Sequence, residues 1–307
     1  MTINDIWDVF VLGLVLGSLY AVIAIGYTLV YGVLQLLNFA HSEVFMSGGF
    51  GGLIVLTLVA PVADPSGLQS VGYVLLGILG GAALGGTVAY FLEKVAYRPL
   101  RRRRAPRLVF LITAIGASFF LYNLAGKIFG RNAVPMPSTY ENKRVLTVFG
   151  TSLNITQLLI LGSAVVMLFG VDYVVNRTKL GSGIRAVAQD PEVASLMGVD
   201  IDKVVSRTFV LGGLMGGVAG FLFGTNVQVF PTMGFLPGIT AFAAAVLGGI
   251  GNVRGAMLGG LLLGVVEAFT VDVFGDAWRY VGAFAALVLV LMFRPTGILG
   301  ERVARAA

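Results

Sequence analysis

Residues 9–40 read VFVLGLVLGSLYAVIAIGYTLVYGVLQLLNFA, 32 positions without a formal charge. About 20 apolar residues carry a helix across a bilayer core, so this run crosses with length to spare. The rest of the chain has the same character. Of 307 residues, 57% are hydrophobic and 12% charged, against roughly a quarter charged in soluble domains. The longest polar stretches, 127–154 and 176–203, hold 28 residues each, too few for an independent core. Residues 1–307 therefore read as one membrane domain, an all-α polytopic transmembrane helix bundle.

Further charge-free runs at 44–63, 65–92, 108–126 and 145–171 supply four more spans, the last turning helical near Ile155. Residues 208–253 carry no charge over 46 positions, too long for one helix. Thr225 to Gln228, followed by Pro231 and Gly234, offers a break there. The runs 255–274 and 278–293 complete eight to ten spans, with nine as the central value and some broken or re-entrant. Seven Lys and Arg residues crowd 93–107, which the positive-inside rule places in the cytoplasm as a solvated anchor. That choice puts 176–203 and the tail from Arg294 (with Arg302 and Arg305) inside as well. Lys127, Arg131, Lys143 and Arg144 then fall outside, against the rule. Asp5 and Asp8, with no basic residue near the N-terminus, suit an outside start without a secretory signal. A basic patch this short beside two spans does not suit nucleic acid.

Many chemistries are excluded by composition. With no Cys and one His, disulfides, thiolate metal sites and multi-histidine centres are absent. There is no phosphate-binding loop of the G-x-x-x-x-G-K type and no nucleophile elbow or zinc-hydrolase motif, so the chain reads as a non-enzyme that binds no cofactor. The run from Gly249 to Gly255 has the wrong glycine spacing for a dinucleotide loop and reads as a tight turn. Glycines recur every fourth residue at Gly13/Gly17, Gly48/Gly52, Gly77/Gly81/Gly85, Gly212/Gly216/Gly220/Gly224 and Gly255/Gly259. Each set lies on one helix face and lets backbones pack closely. Asn38, His41, Glu43 and Glu267 are the candidate pathway residues. Asn38 and His41 interrupt an apolar run, where they either meet cargo or satisfy backbone at a helix break. His41 and Glu43, two apart, point in different directions on a helix. Glu267, mid-span and without a mid-span cation, reads as a bundle-facing carboxylate in preference to an ion relay. Asp272 and Arg279 read as interfacial.

Residues 176–203 read NRTKLGSGIRAVAQDPEVASLMGVDIDK. Asp190 before Pro191 is an N-cap with Pro at the first helical position. Glu192 complements the helix dipole, and Gly198 supplies the stop. A two-turn amphipathic helix at 191–197 follows, either a plain connector or a docking knob for a cytoplasmic partner.

Glu192-Val-Ala194-x-x-x-Gly198 resembles the E-A-A-x-x-x-G loop of ABC importer permeases, with Val193 in place of the first Ala and without the usual I-x-L-P that follows. Leu16 to Gly32, Leu37 to Glu43, Met46 to Gly49, Ile184 to Asp190, Ser195 to Asp200 and Leu247 to Gly255 narrow the match. Together they resemble the LivH-type permeases of the branched-chain amino acid ABC transporter family over nearly the whole chain, with Ser42 where Gly is common. The resemblance implies a divergent ABC importer permease fold in the inner membrane of a prokaryote, with 176–203 as a coupling loop. Arg185, Asp190, Glu192, Ala194 and Gly198 would form the surface coupled to ATPase. The implied partners are a second homologous permease, two cytoplasmic ATPase subunits that use ATP and Mg, and an extracytoplasmic substrate-binding protein. The implied cargo is a branched-chain amino acid. The alternatives are urea or short amides carried by the same machinery, and an ion-coupled carrier working through Glu267.

Overall fold

The computed structural model describes residues 3–36, 38–59, 67–137, 144–148 and 151–300; Leu37, Lys143, Arg302 and Arg305 lie outside them. Among the described residues, twelve α-helices follow in chain order: α1 Ile3–Leu34, α2 His41–Val59, α3 Gly67–Leu92, α4 Arg98–Arg102, α5 Arg107–Phe129, α6 Ile155–Arg177, α7 Lys179–Gln189, α8 Pro191–Leu196, α9 Ile201–Asn226, α10 Phe235–Gly248, α11 Val253–Phe274 and α12 Arg279–Phe293. Eight helical stretches among the described residues are long and apolar enough to cross a membrane, within the eight to ten read from the sequence and one below its central value of nine. The predicted break in 208–253 falls between α9 and α10. At 14 residues, α10 spans only about 21 Å at 1.5 Å per residue, less than a bilayer core of about 30 Å, and a turn at 231–234 precedes it. Arg144–Val148 (β1) and Thr151–Asn154 (β2) form an antiparallel hairpin that charge and hydropathy do not reveal.

Glycine decides which helices meet. A Cβ on Gly48 of α2 would collide with the backbone of Gly217 in α9, and one on Gly85 of α3 would lie 2.6 Å from the Gly213 carbonyl. Gly13 and Gly17 of α1 likewise face the backbone of Val265 and Leu261 in α11. In lipid, apolar surface alone does not draw helices together, so such close approach supplies the packing that does. The buried core runs through α1, α2, α9, α10 and α11, with Phe45, Phe50, Phe209, Phe221 and Leu263 fully enclosed.

The two ends of the bundle are distinct. Arg254 at the start of α11 pairs with Asp172 at the end of α6, 3.0 Å away. The Leu299 amide donates to the Gly248 carbonyl at 2.9 Å, and Gln35 Nε2 donates to Ala188 at 3.2 Å. The ends of α1, α6, α10 and α12 thus share one face with 176–203. At the other face, Thr151 bonds Asp8 and Val134 pairs with Val229.

The basic stretch 93–107 is more than a solvated anchor. Glu93 is wholly buried and takes Arg98 at 2.9 Å and Arg101 at 3.0 Å, while Arg101 also reaches Asp202 on α9. Lys94, Arg102, Arg103, Arg104 and Arg107 are exposed, and of these Arg102 pairs with Asp202. A π-helical turn at Glu93–Tyr97 leads into this cluster. Pro99, which lacks an N–H to continue the ladder, stands two residues after it.

Candidate functional site

Two helices begin in the interior of the bundle. Gly26 lies eight residues before the end of α1, about 12 Å along the axis, and the His41 ring at the start of α2 packs against it. The backbone of Ser42 in turn abuts Gly234 and Gly238 at the start of α10. From this junction α2 runs toward one face and α10 toward the other. Interrupted helices of this kind place backbone N–H groups and positive dipole ends at membrane depth.

A cavity of about 630 Å³ opens beside the junction, between α1, α2, α5, α9, α10 and α12. That volume lies in the range of small-molecule sites. Its wall is largely aromatic, with Tyr27, Phe39, Phe119, Tyr122, Phe230 and Phe242 prominent. Phe119 and Phe235, each 57% exposed, stand at its lateral mouth. The polar contributions include Ser42, Glu43, Ser118, Thr232 and Arg279.

Glu43 is buried in the first turn of α2. Its Oε1 accepts from Ser118 on α5 at 3.0 Å and lies 3.3 Å from Ser42 Oγ. Its Oε2 has no partner. The other candidates sit differently. Asn38 does not line the main cavity; its Oδ1 accepts from Tyr97 at 2.8 Å and from the Ala40 amide at 3.1 Å, which ties the re-entrant turn before α2. His41 is enclosed by Gly26, Gly216 and the Tyr27 ring, with centroids 4.7 Å apart, and also stays off the cavity wall. It does not pair with Glu43, as their spacing requires.

Glu267 corrects one expectation. It is fully buried, but it has a cation: Arg279, expected at the interface, reaches Oε1 at 3.2 Å, and Tyr20 donates to the same oxygen at 3.1 Å. Arg279 also binds Asp276 at 2.6 Å. The reading of Glu267 as a carboxylate hydrogen-bonded to neighbouring helices is the arrangement found. Arg279 and Tyr20, not Glu267 itself, face the cavity. Neither Ser118 nor Arg279 carried a sequence signal of its own, because each acquires its partner only through helix packing.

At the 176–203 end, α8 forms where its caps direct. Asp190 Oδ1 accepts from the amides of Glu192 and Val193 at 2.8 and 3.0 Å. Gly198, at φ +85°, closes the helix: its amide donates to Ser195 and that of Val199 to Ala194, both at 3.0 Å. Those two bonds are the Schellman arrangement, which needs a left-handed residue at this position. Ala194 is buried and seats the helix, while Glu192, Val193, Leu196 and Met197 project outward. Arg185 lies exposed on α7, an eleven-residue amphipathic helix within the loop, and bonds the Val175 carbonyl. Asp200 caps α9; the Lys203 amide, and then its ammonium, hold the Asp200 carboxyl below the usual carboxylate range.

Comparison with known proteins gives the same picture along the chain. The model of the branched-chain amino acid transport system permease component matches residues 9–293. The chain is 44% identical to the high-affinity branched-chain amino acid transport system permease protein BraD of Pseudomonas aeruginosa, over 94% of each. It is 39% identical to the LivH permease protein of Escherichia coli, again over 94% of each. A probable LivH permease of Methanocaldococcus jannaschii is 26% identical over 98% of this chain and 95% of its own.

Proposed function

The chain belongs to the permease family of branched-chain amino acid transport systems, and from that premise we propose that it passes leucine, isoleucine or valine inward as the membrane subunit of an ATP-driven importer. One observation carries the reading most directly: a cavity of about 630 Å³ whose aromatic wall suits an aliphatic side chain and whose polar residues Ser42, Glu43 and Thr232 sit at a break between two helices. Its apolar lining favours such a side chain over urea or a short amide, which would leave most of that wall without a partner. The ion pair of Glu267 with Arg279 supports a structural role for Glu267 over a proton relay.

Energy would enter at α8. Leu196 is 87% exposed and Met197 80%, an apolar tip on a rigidly capped helix, well suited to a cleft in an ATPase subunit. ATPase closure against α8 would tilt the glycine-packed helices around the cavity. A second permease would cover the lateral mouth at Phe119 and Phe235, and an extracytoplasmic binding protein would deliver cargo. The 93–107 and 176–203 segments and the tail then face the cytoplasm in the inner membrane, with the N-terminus outside.

Reconstitution with the two ATPases, a second permease and the binding protein tests the reading. ATP-dependent uptake of labelled leucine, with no uptake of urea, is the expected result. Leucine uptake into liposomes holding this chain alone, without nucleotide, would overturn it. Glu192→Lys and Gly198→Pro should weaken ATPase association, measured by co-purification.

A further inference from the structure

We infer that Glu43 is the seat for the positively charged amino end of the cargo and sets the requirement for that group. This inference rests on the amino-acid reading above. Glu43 is 3% exposed, yet it lines the cavity. An ionised carboxylate offers about four acceptor sites, and this one is poorly supplied. Ser118 donates to Oε1. The single Ser42 hydroxyl hydrogen has a shorter alternative in the Phe39 carbonyl, at 2.8 Å against 3.3 Å for Glu43. Oε2 receives nothing. Arg279, the cation on the cavity wall, is already held by Glu267 and Asp276.

A carboxyl group on the wall of a substrate-sized space, with one oxygen that no donor reaches, lacks a compensating cation with N–H donors. The ammonium group of an amino acid supplies both, through charge-assisted hydrogen bonds. The aromatic wall beside it takes the aliphatic end. A cargo without the ammonium leaves Glu43 buried and unpaired, and sites built around such a bond reject the lacking analogue strongly.

Two measurements test the assignment. In proteoliposomes with the complete transporter, Glu43→Gln should lower leucine uptake at low concentration by about tenfold or more while still co-purifying with its partners. Glu43→Asp, which keeps the charge, should recover part of the loss. Independently of any variant, thermal unfolding of the purified transporter without binding protein is followed with three ligands. L-leucine and L-leucinamide, which keep the ammonium, should raise the midpoint, and 4-methyl-2-oxopentanoate, which lacks it, should not. Equal leucine uptake by the wild type and Glu43→Gln, or equal stabilisation by the oxo acid and leucine, overturns this inference alone. Failure of the wild-type transporter to move any leucine overturns the cargo reading and this inference with it.

Discussion

Helices α2 and α6 are both apolar enough to span a bilayer, and α6 is the more apolar of the two, yet they lead different lives. In their spanning windows, 72% of α2 is buried against 11% of α6; α9 resembles α2, and α12, at 6%, resembles α6. Hydrophobicity therefore does not decide which helix enters the core. Lipid is as apolar as a neighbouring helix, so the deciding quantity is how closely backbones can approach. Gly48, Gly49, Gly51 and Gly52 of α2 all face nearby atoms of other helices, whereas Gly162 and Gly170 of α6 face open space. The outer helices keep their apolar surfaces for lipid or a partner subunit.

Substitutions can break or sharpen that contrast. The largest effect is expected at the charged end of the core. Glu93→Ala takes the carboxylate from Arg98 and leaves Arg101 with Asp202 alone, and loss of one side of a buried ionic cluster costs about 3–5 kcal/mol. It should appear as a sharply lower unfolding midpoint in detergent. Gly48→Val comes next, at about 3 kcal/mol, the upper end for overpacking, because the Gly217 backbone cannot yield as a side chain could. Tyr97→Phe removes the hydroxyl that holds Asn38 and should lower stability by about 1 kcal/mol. Smallest is Gly162→Ala on α6, expected to be neutral or to stabilise by up to about 1 kcal/mol through helix propensity. A loss at Gly162 matching that at Gly48 would erase the distinction between inner and outer helices. If Gly162→Ala is silent in the isolated chain but weakens the assembled transporter, the outer face of α6 is a subunit contact and not a lipid one.

The inner region was legible where its signal is local or periodic. Four-residue glycine spacing marks the close faces of α1, α2, α3, α9 and α11 without reference to their neighbours. The α8 knob is equally legible, since Asp190, Pro191 and Gly198 act on backbone groups within a few residues of themselves. Charge-free runs located the spans as far as α10, those of α11 and α12 being interrupted by Glu267, Asp272 and Arg279, and Pro231 with Gly234 located the break before α10. The site was harder to read. Glu43 stood out as a charge at the head of an apolar helix, but its partner Ser118 lies 75 positions away. Arg279 looked interfacial because its span begins there, and only the approach of α11 turns it toward Glu267. Arg98 and Arg101 looked like solvated anchors until α9 brought Asp202 and Ser206 against them.

The amino-acid order alone settled that this is a helical membrane protein, where α8 starts and stops, and which faces come close, because apolar length, capping and missing side chains act over one or two turns. The tertiary structure alone decided that α2 and α10 begin face to face inside the bundle, that Asn38 and His41 turn away from the cavity while Glu43 turns toward it, and that Glu267 is paired. Those outcomes depend on the depth and rotation of helices far apart in the chain, and no local pattern encodes how one helix is set against another.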